Sequence, residues 1–122
     1  MLVVDDDYEL LASLQRAHLR ASPAWQLACV LESQVALDVS EAEGVALAVV
    51  DLIMPDRDGM EVIRDLKRSN PNLPIIAISG SSASQDHSLH AAALALGADR
   101  VLLKPFTFEQ LREAIDQLLA AH

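Results

Sequence analysis

VALAVVD (residues 45–51) and the LIMPDRDG that follows it (residues 52–59) carry the strongest fold signal in the chain. The first six residues of this stretch are all apolar, with no polar residue at alternate positions, so a strand built from them is withdrawn from water on both faces. Such a strand belongs in a parallel sheet sandwiched between helices. The run stops on a carboxylate, Asp51, and the Pro, Asp and Gly residues after it mark a loop at the strand's carboxyl end.

Working outward toward the C-terminus, Val62, Ile63 and Leu66 form the inner face of a helix that ends at Asn70-Pro71. Pro74 to Ile78 is a fourth apolar strand, and a serine-rich loop from Ser79 to Ser84 leads to a helix with Leu89, Ala93 and Leu96 on one side. Gly97 suits a left-handed cap for that helix. Val101 to Leu103 is a fifth strand, stopped by Lys104-Pro105, and Phe108, Leu111, Ile115, Leu118 and Leu119 make a closing amphipathic helix. Toward the N-terminus, a weaker helix runs from Gln34 to about Glu43, and Trp25 to Leu31 reads as a second strand. Ser22-Pro23 separates that strand from a helix with Leu10, Leu11, Leu14, Ala17 and His18 at helical spacing. Before it, Leu2 to Val4 is a first short strand that delivers Asp5, Asp6 and Asp7. Five strands alternating with five helices predict a doubly wound α/β domain over residues 1–122, a five-stranded parallel sheet with strand order 2-1-3-4-5.

Composition narrows the function. Eighteen Asp and Glu against nine Lys and Arg give a formal net charge of −9, which opposes direct contact with a phosphate backbone and argues against nucleic acid as a direct partner. No apolar stretch approaches the roughly 18 residues a membrane span needs, so no membrane partner is expected. The N-terminus, MLVVDDD, has no secretory pattern, and the one cysteine, Cys29, lies in an apolar run as a reduced, buried thiol. A cytoplasmic setting is expected.

Open parallel sheets bind ligands at the carboxyl ends of their strands, next to the point where strand order reverses. In the predicted order those ends bring together Asp5 and Asp6 from the first strand, Asp51 from the third, Ser79 from the fourth and Lys104 from the fifth. Each has a plain structural reading when taken singly: the aspartates cap a helix, Asp51 starts a turn, Ser79 opens a loop, and Lys104 is a solvated strand end. Converging, they are a different matter. Clustered carboxylates repel unless a cation or a proton intervenes, and magnesium suits a set of oxygen ligands that includes one or two carboxylates and phosphate oxygens. His87 and His90, three residues apart, read as a solvated pair rather than a metal site.

Four motifs, LVVDDD, VVDLIMPDRDG, IIAISG and LLKPF, stand in an order and spacing that resemble the receiver domains of two-component response regulators, whose fold is flavodoxin-like. The resemblance covers essentially the whole chain. It implies that Asp51 accepts a phosphoryl group and that Asp6, Asp51 and the backbone carbonyl of Ile53 ligate Mg2+, with Asp5 joining through water. It further implies that Ser79 contacts the phosphoryl group, that Lys104 pairs with it, and that the bond before Pro105 is cis. The donor would be a phosphohistidine on a sensor histidine kinase or a histidine phosphotransfer protein. The effector domain or protein downstream is not named by the sequence. The surface of the fourth helix, fifth strand and fifth helix is where relatives often dimerise or bind partners. Such a domain is not an enzyme acting on a separate substrate, although it assists its own phosphorylation and dephosphorylation.

Two positions depart from the family pattern. Val101 stands where many relatives carry Tyr or Phe, so a switch that works by swinging an aromatic ring inward has no ring to swing, and Ser79 replaces the common Thr while keeping the hydroxyl. Activation is therefore expected to run through the loop from Ser79 to Asp86 and the helix after it. Two other functions compete. A haloacid-dehalogenase-like phosphatase also begins with a strand ending in Asp-x-Asp, here Asp5 and Asp7, but Glu9 stands where Thr or Val is usual and no second acidic pair follows the fourth strand. An interaction domain that has lost phosphorylation would not need the acid, hydroxyl and lysine positions filled, and all of them are.

Overall fold

The computed structural model describes residues 2–4, 8–21, 28–30, 47–52, 59–79, 87–104 and 106–121. Five strands, β1 (Leu2–Val4), β2 (Ala28–Val30), β3 (Ala48–Asp51), β4 (Ile75–Ser79) and β5 (Arg100–Leu103), pair in parallel in the order β2-β1-β3-β4-β5. This is the predicted order, with its reversal between β1 and β3. Four helices are described: α1 (Tyr8–Ala21), α2 (Gly59–Ser69), α3 (His87–Leu96) and α4 (Phe108–Ala121). The helix predicted from Gln34 to Glu43 lies outside the described residues.

Strand parity divides the core in two, because successive side chains of a strand point to opposite faces. Ala48, Val50 and Leu52 of β3 and its end, with Ile75 and Ala77 of β4, join Val62, Ile63 and Leu66 of α2 and Ala93 of α3 in one buried cluster. Leu47, Val49, Ile76 and Ile78 point the other way and pack with Leu14 of α1 and with Leu111, Ala114, Ile115 and Leu118 of α4. All residues of β3 and β4 are buried, as the absence of polar alternation predicted.

The helix ends are built from side chains and turns that the sequence announces. Thr107 and Gln110 form a reciprocal capping box at the start of α4: Gln110 N–H donates to Thr107 Oγ1 (3.1 Å), and Thr107 N–H donates to Gln110 Oε1 (2.9 Å). At the end of α3, Gly97 has a φ of 122°, Ala98 N–H donates to Ala93 O (3.0 Å) and Gly97 N–H to Leu94 O (3.2 Å). This pair of bonds is the Schellman arrangement, and the positive φ is the reason for glycine there.

Two expectations are corrected. Leu96 was expected on the inner side of α3, yet it is 39% exposed. It is the last helical residue, and the reversal at Gly97 turns Ala98 inward into the place expected for Leu96. Ser79 is the last residue of β4 rather than the first of a loop, because its carbonyl accepts a ladder bond from Lys104 N–H (2.8 Å). Asp51 closes β3 as expected, paired with Ile78, and the ladder runs one bond further, from Leu52 N–H to Ile78 O (2.9 Å).

Candidate functional site

The carboxyl ends of β3, β4 and β5 meet at one rim of the sheet. Asp51 closes β3 and is only 5% exposed, which is unusual for a carboxylate and calls for a compensating partner. That partner comes from two strands away. The ladder bond from Lys104 N–H to Ser79 O carries the β4–β5 pairing past Leu103 and sets Lys104 at the rim, and its Nζ donates to Asp51 Oδ2 across 3.2 Å. The lysine side chain is a quarter exposed and the aspartate side chain 7%. The ammonium therefore has solvent on one side and a nearly dry carboxylate on the other, where a charge-assisted bond is stronger than a neutral one.

Ser79 ends the strand between them. It is fully buried, and its Oγ has no hydrogen-bond partner among the described residues. Leaving a buried hydroxyl unsatisfied costs about 1–3 kcal/mol. Val101 is half-buried and packs against the cluster that α2 and α3 cover, so this position contributes an aliphatic contact.

The sheet thus brings Asp51 and Lys104 into contact, with Ser79 ending the strand between them. Asp5, Asp6 and Ile53 lie outside the described residues, as does Pro105. The register of β1 bears on the two acids only through the backbone: Val4 pairs with Val50, so β1 ends level with the residue before Asp51. No group of three or more His, Cys, Asp or Glu able to hold a metal ion occurs among the described residues.

Gly59 at the start of α2 also borders the site. Its N–H donates to Leu52 O (3.1 Å), and a Cβ added to it would collide with the Asp51 carbonyl oxygen and lie 2.6 Å from Leu52 Cα. The sequence offered only a glycine in a loop-forming stretch as a sign of this; the close approach of two backbones is a tertiary fact.

The response regulator receiver domain model matches residues 1–116. The chain belongs to that family. The receiver is 34% identical over 119 residues to the transcriptional regulatory protein TctD of Salmonella typhimurium, a match covering 98% of this chain and 51% of TctD. It is also 34% identical to the transcriptional regulatory protein PrrA of Mycobacterium tuberculosis, over 98% of this chain and 49% of PrrA. The receiver spans about half the length of these curated relatives. Among solved structures, a CheY-like receiver domain protein from Methanospirillum hungatei superposes with a TM-score of 0.87 at 25% identity, covering 98% of this chain and 92% of that one. The flavodoxin-like fold and a phosphorylation-dependent role in two-component signalling follow from this membership, and the phosphatase reading is set aside. No described helix is long and apolar enough to cross a membrane.

Proposed function

We propose that Asp51 is the phosphoacceptor of a single receiver domain spanning residues 1–122, with Lys104 and Ser79 as the groups that receive the phosphoryl oxygens. One observation carries this reading: a nearly buried carboxylate is paired at 3.2 Å with a lysine two strands away, beside a buried hydroxyl with no partner among the described residues. An Asp51 carboxylate oxygen attacks phosphorus, an O–P bond forms, and the P–N bond of a phosphohistidine donor breaks with its electron pair returning to the imidazole nitrogen. Lys104 exchanges the carboxylate for an oxygen of the incoming PO3 group and offsets its charge, while the Ser79 hydroxyl donates a hydrogen bond to another oxygen. Little else is asked of the protein, because phosphoryl transfer depends mostly on position and charge.

Receiver domains generally use Mg2+ at this step. The described groups at the rim, a carboxylate and a hydroxyl, have the hard-oxygen chemistry magnesium prefers. Asp6, Asp51 and the Ile53 carbonyl would hold the ion directly and Asp5 through water. The ion supplies charge neutralisation on the transferring group.

The partners proposed are a sensor histidine kinase or a histidine phosphotransfer protein upstream and an effector downstream, in the cytoplasm. Leu94 and Leu96 of α3 and Leu103 of β5 are exposed, which suits the α3, β5 and α4 surface to dimerisation or partner binding. The chain's formal charge of −9 argues against direct DNA contact by this domain.

Intact mass after incubation with acetyl phosphate and MgCl2 tests the central assignment. The wild type should gain one phosphoryl group and Asp51→Asn none. Equal gain by both, or beryllofluoride binding that is the same for wild type and Asp51→Ala, would overturn it.

A further inference from the structure

The first turn of α2 is pressed against the backbone that carries the phosphoacceptor. Gly59 is buried, its N–H is bonded to Leu52 O at 3.1 Å, and an added Cβ would meet the Asp51 carbonyl oxygen, with Leu52 Cα at 2.6 Å and the Asp51 carbonyl carbon at 2.9 Å. All three obstacles are main-chain atoms. Unlike the tip of a side chain, they give way only if the end of β3 or the start of α2 moves. β3 is held on both sides, by β1 and by β4, and α2 is anchored by Val62, Ile63 and Leu66, none of which is exposed.

We propose that Gly59 is a positioning residue for phosphoryl transfer. By having no side chain it lets α2 seat directly behind Asp51–Leu52, and that seating fixes the Asp51 carboxylate relative to Lys104 and Ser79. The inference rests on Asp51 being the phosphoacceptor. Ordinarily Ala is favoured over Gly in a helix, so harm from Gly59→Ala would come from this contact rather than from helix propensity. The harm should fall on geometry, because reacting groups displaced by about 1 Å lose up to about a hundredfold in rate.

A second glycine supplies the control. Gly97 also resists a side chain, through its φ of 122° and the Lys67 methylene groups 2.9–3.2 Å from an added Cβ, but it precedes the beginning of β5 and so lies at the opposite end of the sheet from Asp51. Gly97→Ala should lower the melting temperature and leave site geometry alone.

The experiment follows the rate of phosphoryl incorporation by intact mass, with acetyl phosphate and saturating MgCl2, in wild type, Gly59→Ala, Gly97→Ala and Asp51→Asn, at a temperature where circular dichroism shows each variant folded. Gly59→Ala should be slower by about tenfold to a hundredfold and Gly97→Ala should stay within about twofold of wild type. A folded Gly59→Ala that is phosphorylated within about twofold of wild type overturns the proposal. If the wild type itself takes up no phosphoryl group at Asp51, the phosphoacceptor assignment fails and the proposal with it, a result distinct from the previous one. Should Gly59→Ala not fold, wild-type amide hydrogen exchange decides. Coupling between Gly59 and the site is reciprocal, so beryllofluoride with MgCl2 should slow exchange of the Gly59 amide several-fold and leave the Gly97 amide unchanged. Equal exchange at Gly59 with and without beryllofluoride overturns the proposal.

Discussion

Replacing Lys104 with Met and Asp51 with Asn, singly and together, measures how strongly the rim pair is coupled. At the observed Nζ–Oδ2 separation of 3.2 Å, Coulomb's law gives about 5 kcal/mol at an effective dielectric of about 20 and about 1 kcal/mol at the value for bulk water. Asp51 is nearly dry and Lys104 is a quarter exposed, so the pair falls between those limits. A coupling of about 1.5–3 kcal/mol is expected, above the usual range for surface ion pairs and below that for fully buried ones. Lys104→Met alone should be the more damaging single change, since it leaves a carboxylate buried without its cation. Asp51→Asn leaves a lysine that can turn toward water. Urea unfolding of the four proteins closes the cycle, and repeating it in about 1 M salt should reduce the coupling in part only, because one partner is shielded from solvent. With MgCl2 present the coupling should fall further as the metal competes for the carboxylate. A coupling below about 0.5 kcal/mol in low salt would mean that the pair is an incidental surface contact and would refute the electrostatic account of the site.

The other expectations concern the scaffold and the switch. Leu66→Ala removes a side chain with no solvent exposure from the layer covered by α2 and α3, and should cost about 2–5 kcal/mol in urea unfolding; a cost under about 1 kcal/mol would contradict the packing described. Thr107→Ala deletes the hydroxyl half of the capping box on α4 and should cost about 1 kcal/mol, with Thr107→Ser close to neutral. Val101→Tyr should change phosphorylation-dependent partner binding little, and a large gain in a pull-down with beryllofluoride-loaded protein would show that an aromatic at this position can still run the switch.

Much of the architecture could be read from the chain because β3 and β4 are buried on both faces and therefore carry no polar alternation. Residues 45–51 and 74–78 state that burial directly, and parity then distributes their side chains between the two layers. The meeting of Asp51 with Lys104 was legible for the same reason: strand order and strand ends suffice to predict it. Other features depend on contacts with no local signature. Leu96 has the spacing of an inward residue, but the reversal at Gly97 gives the inner place to Ala98. Ser79 belongs to β4 only because Lys104 N–H reaches its carbonyl, a bond made by a residue 25 positions further on. Gly59 looked like loop composition, and its contact with the Asp51 carbonyl exists only once α2 is docked.

Strand parity also sorts the three rim residues. Asp51 continues the series Leu47 and Val49, and Lys104 follows Leu102, the series whose apolar members pack with α1 and α4. Ser79 continues Ile75 and Ala77, the series that packs with α2 and α3. On the phosphoacceptor reading, a small anion held by all three would draw on strand ends from both series at once.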